Sequence, residues 1–243
     1  MTTSPHPAAP RVALVTGGSR GLGRALTIEL LGSGWHVVTD GRDPDALANL
    51  GDEASNPEAL FTIPGDVADP GHRTTLIARA ASLGGLDLLV NNASLLGPSP
   101  QPALADYPID TLEEVYAVNL FAPLALTQAA LPHLERRSGR ILNISSDAAV
   151  EPYEGWGGYG SSKAALDQLT NVLATENPGL RIYSLDPGDM RTDMHAQAFP
   201  DEDISDRPEP ETVLPALARL IEGDRPSGRY RAAALLPQVA GQQ

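Results

Sequence analysis

The chain has 243 residues, with 17 basic against 31 acidic side chains and a formal net charge of -14, so its field repels phosphate backbones and anionic membrane surfaces and sets aside nucleic acid and membrane as partners. It has no cysteine, which excludes disulfides, thiolate catalysis and Cys-based metal sites and suits a reducing cytoplasm. Hydrophobic residues, at 42%, suffice for a substantial core, and the length fits one α/β domain.

Met1 to Pro10 holds three prolines and no apolar run, so it reads as a flexible tail without the hydrophobic stretch of a signal peptide. From residue 11 onward short apolar runs alternate with helix-like stretches, the pattern of repeated βαβ units around a parallel sheet. The first strand is Arg11 to Thr16. A glycine turn follows, then a helix carrying Leu22, Ala25, Leu26 and Leu30 that stops at Gly32 or Gly34. Trp35 to Thr39 and Leu60 to Ile63 are the second and third strands. A helix over Arg73 to Ser82 leads to a fourth strand, Leu86 to Val90.

Apolar residues at helical spacing predict a long helix from about Thr111 to Glu135, with Pro123 and Pro132 as places where it kinks or ends. Ile141 to Ile144 is the fifth strand, Tyr159 to Thr175 a helix, and Leu180 to Leu185 the sixth strand. Six acidic residues and three prolines between Ala198 and Glu211 predict a mobile loop. A helix over Glu211 to Ile221 and a strand over Arg229 to Leu235 close a domain spanning 11–237, with 238–243 as a tail. No segment approaches the roughly 20 apolar residues of a membrane span. The five histidines, His6, His36, His72, His133 and His195, include no pair at metal-ligand spacing.

Two motifs carry chemistry. Thr16-Gly-Gly-Ser-Arg-Gly-Leu-Gly23 joins the first strand to the first helix, where Gly17, Gly21 and Gly23 let the backbone approach a pyrophosphate and the helix end attracts its charge. The bland alternative is a glycine turn without a ligand. Tyr159 and Lys163 stand four residues apart, thirteen residues and more after Ser146. On one helix face, the ammonium of Lys163 is expected to favour the phenolate of Tyr159 and equip it for proton exchange with an alcohol.

With glycines at 17, 21 and 23, the turn is the T-G-x-x-x-G-x-G variant, and the chain resembles the classical short-chain dehydrogenase/reductase family. The likeness continues through Asp66-Val67, Asn91-Asn92-Ala93, the set Asn119, Ser146, Tyr159 and Lys163, and Pro187-Gly188 with Thr192, across residues 11 to 193. It implies a single-domain Rossmann-type doubly wound parallel sheet of about seven strands with helices on both faces.

The resemblance also implies roles. Tyr159 is the general acid in carbonyl reduction and the base in the reverse reaction, its pKa held down by Lys163 and an oxidised nicotinamide. Ser146 polarises the substrate oxygen. Asn119 holds a water beside Lys163, and a local kink there would suit an asparagine inside a helix; the alternative is a side chain bonded to its own helix backbone. The implied cofactor contacts are Gly17, Ser19, Arg20, Gly21, Leu22, Gly23, Asp66, Val67, Asn92, Ala93, Lys163, Pro187, Gly188 and Thr192, together with Arg42.

After the second strand, Gly41 occupies the position where an acidic residue would bind the ribose of NAD, and Arg42 the position that pairs the 2′-phosphate of NADP, with Arg20 as a second phosphate ligand. NADP(H) is therefore favoured over NAD(H), and a one-residue register shift that brings Asp40 to the ribose would reverse this. Ser94 stands where the family has glycine, the stretch from Glu176 to Gly179 is short enough to end its helix early, and the C-terminal D-G-G of many relatives is missing.

Substrate contacts are expected from Ser94 to Gly97, Ala148 to Trp156 and a lid at about 190–210, with Tyr153, Trp156 and Met194 lining an apolar pocket. The expected activity is that of a carbonyl reductase (ketoreductase) or secondary-alcohol dehydrogenase on a small molecule, as a cytoplasmic homodimer or homotetramer. The alternatives are a non-catalytic NADP(H)-sensing protein and an NAD-dependent alcohol dehydrogenase. No metal is expected, and a serine hydrolase lacks its G-x-S-x-G turn.

Overall fold

Apolar runs that stay buried on both sides become strands of one parallel sheet, as in β1 (Val12–Val15), where every side chain is buried. A computed structural model describes residues 10–236; the expected tails fall almost wholly outside them. The other strands are β2 (His36–Gly41), β3 (Leu60–Pro64), β4 (Leu88–Asn91), β5 (Arg140–Ile144), β6 (Arg181–Asp186) and β7 (Gly228–Arg231). Their spatial order is β3-β2-β1-β4-β5-β6-β7, all parallel, which is the expected Rossmann-type arrangement.

The helices are α1 (Gly21–Gly32), α2 (Pro44–Glu53), α3 (Pro70–Ser82), α4 (Ile109–Tyr116), α5 (Ala122–Arg137), α6 (Gly157–Glu176), α7 (Asp193–Ala198), α8 (Leu214–Ile221) and α9 (Ala232–Leu235). Successive strand side chains point to opposite faces. Ala13 and Val15 therefore join the layer of Leu22, Leu26 and Leu217, whereas Val12 and Leu14 join Leu76, Leu126 and Leu134 on the other face.

Four local expectations change. The apolar pattern gave no sign of α2, because only Leu47 and Leu50 bury against the sheet; it starts at Pro44 with the Asp43 carboxylate accepting from Asp45 N and Ala46 N. The strand expected to reach Leu235 stops at Arg231. Ala-Ala-Ala-Leu is good helix-forming sequence, and Ala232 and Leu235 bury as α9 instead. The segment expected as a mobile loop begins with the last turn of α7, and Arg191 N bonds Pro208 O at 2.8 Å while Arg207 pairs with Asp206 at 2.8 Å.

The fourth concerns the long helix. It passes Pro132 unbroken, and a π-turn over Ala117–Phe121, just before Pro123 in the first turn of α5, separates α4 from α5, so the irregularity falls at Asn119, where a kink was expected. This run, Ile109–Arg137, is long and apolar enough by length and composition to cross a membrane, contrary to the expectation that no segment is. Its apolarity has another use here. Ala122, Leu126, Ala130 and Leu134 are all fully buried in the layer beneath the sheet. Leu126→Ala should therefore cost about 3 kcal/mol, read as a lower urea midpoint with an unchanged slope; a loss below about 1 kcal/mol would mean that this face does not carry the core.

Candidate active site

The site begins where strand order reverses between β1 and β4. Thr16 Oγ1, just past β1, accepts from Asn92 N and Ala93 N at 3.0 Å each, and Asn92 Nδ2 donates to Thr16 O at 2.8 Å and Gly17 O at 3.1 Å. These bonds hold the glycine turn against the end of β4. There is no room for side chains. A Cβ on Gly23 would lie 2.3 Å from Gly17 O, and Gly17, at φ +68°, would bring one to 2.9 Å from the Ala93 backbone. No side chain caps α1, so its first N–H groups are available to an anion. This cradle fits a dinucleotide pyrophosphate.

A cleft of about 460 Å³ runs from this turn along the carboxyl ends of the strands. Of the expected cofactor residues, Gly17, Ser19, Arg20, Gly21, Leu22, Arg42, Asp66, Val67, Asn92, Ala93, Lys163, Pro187, Gly188 and Thr192 line it. Gly23 lies beneath the turn and acts by leaving space. Thr192 caps α7 through His195 N, and its methyl group faces Gly21. Arg73, which no motif singled out, donates to Val67 O and Ala68 O at 2.8 Å each and braces the segment after β3.

Ser146 follows β5, and Tyr159 and Lys163 occupy the first two turns of α6; all three line the same cleft. The Ser146 hydroxyl donates to Asp147 Oδ1 at 3.0 Å and accepts from Ala148 N at 3.1 Å. Lys163 Nζ donates to Ile144 O at 2.8 Å and lies 5.5 Å from the centre of the Tyr159 ring. With only 1% of the lysine exposed, burial lowers its pKa to about 8, partly opposed by the Asp167 carboxylate.

The protein's own groups do not depress the tyrosine pKa. Burial raises Tyr159 to about 12, and the hydroxyls of Ser94 and Ser146 pull it back only in part. Desolvation of the phenolate outweighs any help from its neighbours.

Asn119 does not reach the cleft. Its Oδ1 accepts from Leu95 N at 2.8 Å and Ser94 Oγ at 3.2 Å, and its Nδ2 donates to Leu95 O at 2.9 Å and Ser162 Oγ at 3.0 Å. The side chain is fully used by protein partners, which corrects the alternative of bonding its own helix. It ties the π-turn to the segment after β4 and to α6. Ser94, the departure from glycine, is one of those partners.

Among the bulky substrate candidates, Trp156 and Met194 line the cleft with Leu96 and Ala198, and the Trp156 ring stands edge-on to Tyr159 at 5.8 Å. Tyr153 does not line it. Its hydroxyl donates outside to Asp147 Oδ2 at 2.9 Å, and it borders a separate hollow with Leu104 and Val150. Among the described residues no cluster of three metal-ligating side chains occurs.

The sequence model of the short chain dehydrogenase family matches residues 11–203, and the chain belongs to that family of oxidoreductases acting on CH–OH groups. It is 36% identical over 184 residues to the short-chain dehydrogenase penD of Penicillium thymicola, covering 72% of this chain and 66% of that one. It is 35% identical over 201 residues to sepiapterin reductase of Meriones unguiculatus, covering 77% of each. A protein assigned to the short-chain dehydrogenases of Shigella flexneri, crystallised with NADP, superposes with a TM-score of 0.84 at 29% identity, over 92% of this chain and 97% of that one.

The buried amine makes stability depend on pH. Lys163 has a native pKa of about 8 against 10.5 for a free lysine, so between these values the unfolded chain binds more protons and stability rises with pH. Tyr159, raised from 10.0 to about 12, acts in the opposite sense at higher pH. The unfolding free energy of wild type relative to Lys163→Met should therefore rise, becoming more favourable to wild type, between about pH 8 and 10, by at most about 1.4 kcal/mol per unit. A flat difference in urea titrations would mean that the amine is not desolvated.

Proposed function

We propose that this chain is an NADP(H)-dependent oxidoreductase that moves hydride between nicotinamide and a ketone, aldehyde or secondary alcohol, with Tyr159 as the general acid and base. The observation that carries the reading is the convergence of Ser146, Tyr159 and Lys163 on the cleft that the glycine turn opens. When bound, the reduced nicotinamide supplies the hydride. Ser146 donates a hydrogen bond to the substrate oxygen and polarises the carbonyl. Tyr159 gives that oxygen its proton in reduction and takes it back in the reverse direction. Lys163 anchors the ribose side of the cleft and places a positive charge near the phenol. Asn119 is a positioning residue for the Ser94–Leu95 segment.

The preference for NADP(H) is supported by the rim at the end of β2. Gly41 offers no carboxylate, and a Cβ there would lie 2.7 Å from Ser19 Oγ. The Asp40 carboxylate is turned inward to Gly17 N at 2.7 Å, leaving Arg42 and Arg20 at the rim. The NADP bound to the Shigella relative agrees with this reading. Trp156, Leu96 and Met194 suit an apolar substrate group, and residues 190–210 form its lid. The exposed Ile109, Phe121 and Val172 on α4 to α6 suit a homodimer or homotetramer, and the lack of cysteine suits the cytoplasm.

In a titration followed by nicotinamide fluorescence, NADPH should bind more tightly than NADH, and Arg42→Ala should weaken NADPH on the order of tenfold while sparing NADH. Tyr159→Phe should keep NADPH binding and lose roughly 10²-fold or more in kcat on a carbonyl substrate. Tighter NADH binding would refute the role given to Arg42. Failure to bind either dinucleotide would refute the redox reading.

A further inference from the structure

Strand alternation places Val38 and Asp40 of β2 on the face covered by α3, opposite to Gly41 and Ser19. There Asp40 meets His72 in the first turn of α3, Nε2 to Oδ2 at 2.9 Å, with the two side chains only 8% and 3% exposed. A carboxylate can only accept, so Nε2 carries the proton. The residue is held from two more sides. His72 N donates to Asp69 Oδ1 at 3.0 Å, and the ring lies over Gly65, where a Cβ would come within 2.3 Å of Nδ1. The other Asp40 oxygen accepts from Gly17 N at 2.7 Å. One buried carboxylate thus links α3 to the first residue of the glycine turn, and both of its oxygens are satisfied.

We infer that His72 is a specificity-determining positioning residue: by holding Asp40 inward against Gly17, it keeps a carboxylate away from the ribose 2′ position and leaves that rim to Arg42. The inference rests on the NADP(H) reading above and deepens it. Without the Nε2 donor, one carboxylate oxygen is buried unpaired, a state costly enough to drive it toward water. The way to solvent is the cleft that Asp40, Gly41 and Arg42 border. An acidic group at that rim accepts from a ribose 2′-OH and repels a 2′-phosphate, so releasing Asp40 exchanges one cofactor preference for the other.

The experiment compares dissociation constants for NADPH and NADH in wild type, His72→Phe, His72→Gln and the double variant His72→Phe/Asp40→Asn. Phenylalanine keeps a ring over Gly65 and lacks the donor, whereas glutamine restores an amide N–H. The preference for NADPH should fall about tenfold or more in His72→Phe, through both a weaker NADPH and a stronger NADH. It should persist in His72→Gln and largely return in the double variant, which has no carboxylate to release. Should His72→Phe fail to fold by circular dichroism, His72→Ala carries the same expectation.

Equal weakening of both dinucleotides, with an unchanged ratio, would overturn the inference and leave His72 as a structural residue. The same fall in His72→Gln would also overturn it. A wild type that binds neither dinucleotide would instead overturn the NADP(H) reading, and this inference with it.

Discussion

The contact between the glycine turn and the end of β4 is the constraint on which the cleft depends. Neighbouring strands β1 and β4 send their connections to opposite sides of the sheet, and the crevice between those connections is where a doubly wound fold can admit a ligand. Keeping it open requires two backbone segments to touch. Thr16 and Asn92 supply the hydrogen bonds, and Gly17 and Gly23 supply the missing volume. Larger residues would push α1 away from the sheet and turn its N–H groups off the crevice.

The far side of the cleft is governed by desolvation. Ile144 O, Lys163 and Tyr159 lie in a region dry enough to lower the amine and raise the phenol. A charged network lies behind α6, in which Arg229 of β7 donates to Asp167 Oδ2 at 2.8 Å and to Ser146 O at 3.0 Å. The last strand thereby fixes the backbone of the serine. Asn119 does similar work from the opposite side, because its π-turn lets one amide reach the 94–95 segment and α6 together.

Charge is arranged against the molecule's overall balance. The chain carries a net charge of -14, yet Arg20 and Arg42 border the nucleotide end of the cleft, and the carboxylate of Asp40, which borders it too, is tied inward. Arg20 also reaches Asp193 on α7 at 3.3 Å, so the lid and the glycine turn share an exposed ion pair whose energetic weight is small.

Much of this was legible in the sequence. Uninterrupted apolar runs identified the strands because strands of a parallel sheet are buried on both faces, and the spacing of Gly17, Gly21 and Gly23 and of Tyr159 and Lys163 followed from local turn and helix geometry. α2 escaped notice because two buried leucines make a weak periodic signal, and Ala232 to Leu235 was misassigned because a short apolar run does not distinguish strand from helix. The sequence by itself determined the sheet, the glycine turn and the set of residues at its edge, since each is written in short-range spacing. Only the tertiary structure decided that Asp40 faces His72, that Asn119 spends its amide on protein partners and that Tyr159 is raised rather than lowered. Those outcomes depend on which distant element packs over a side chain and how much water it removes, and residues far apart in the chain set both.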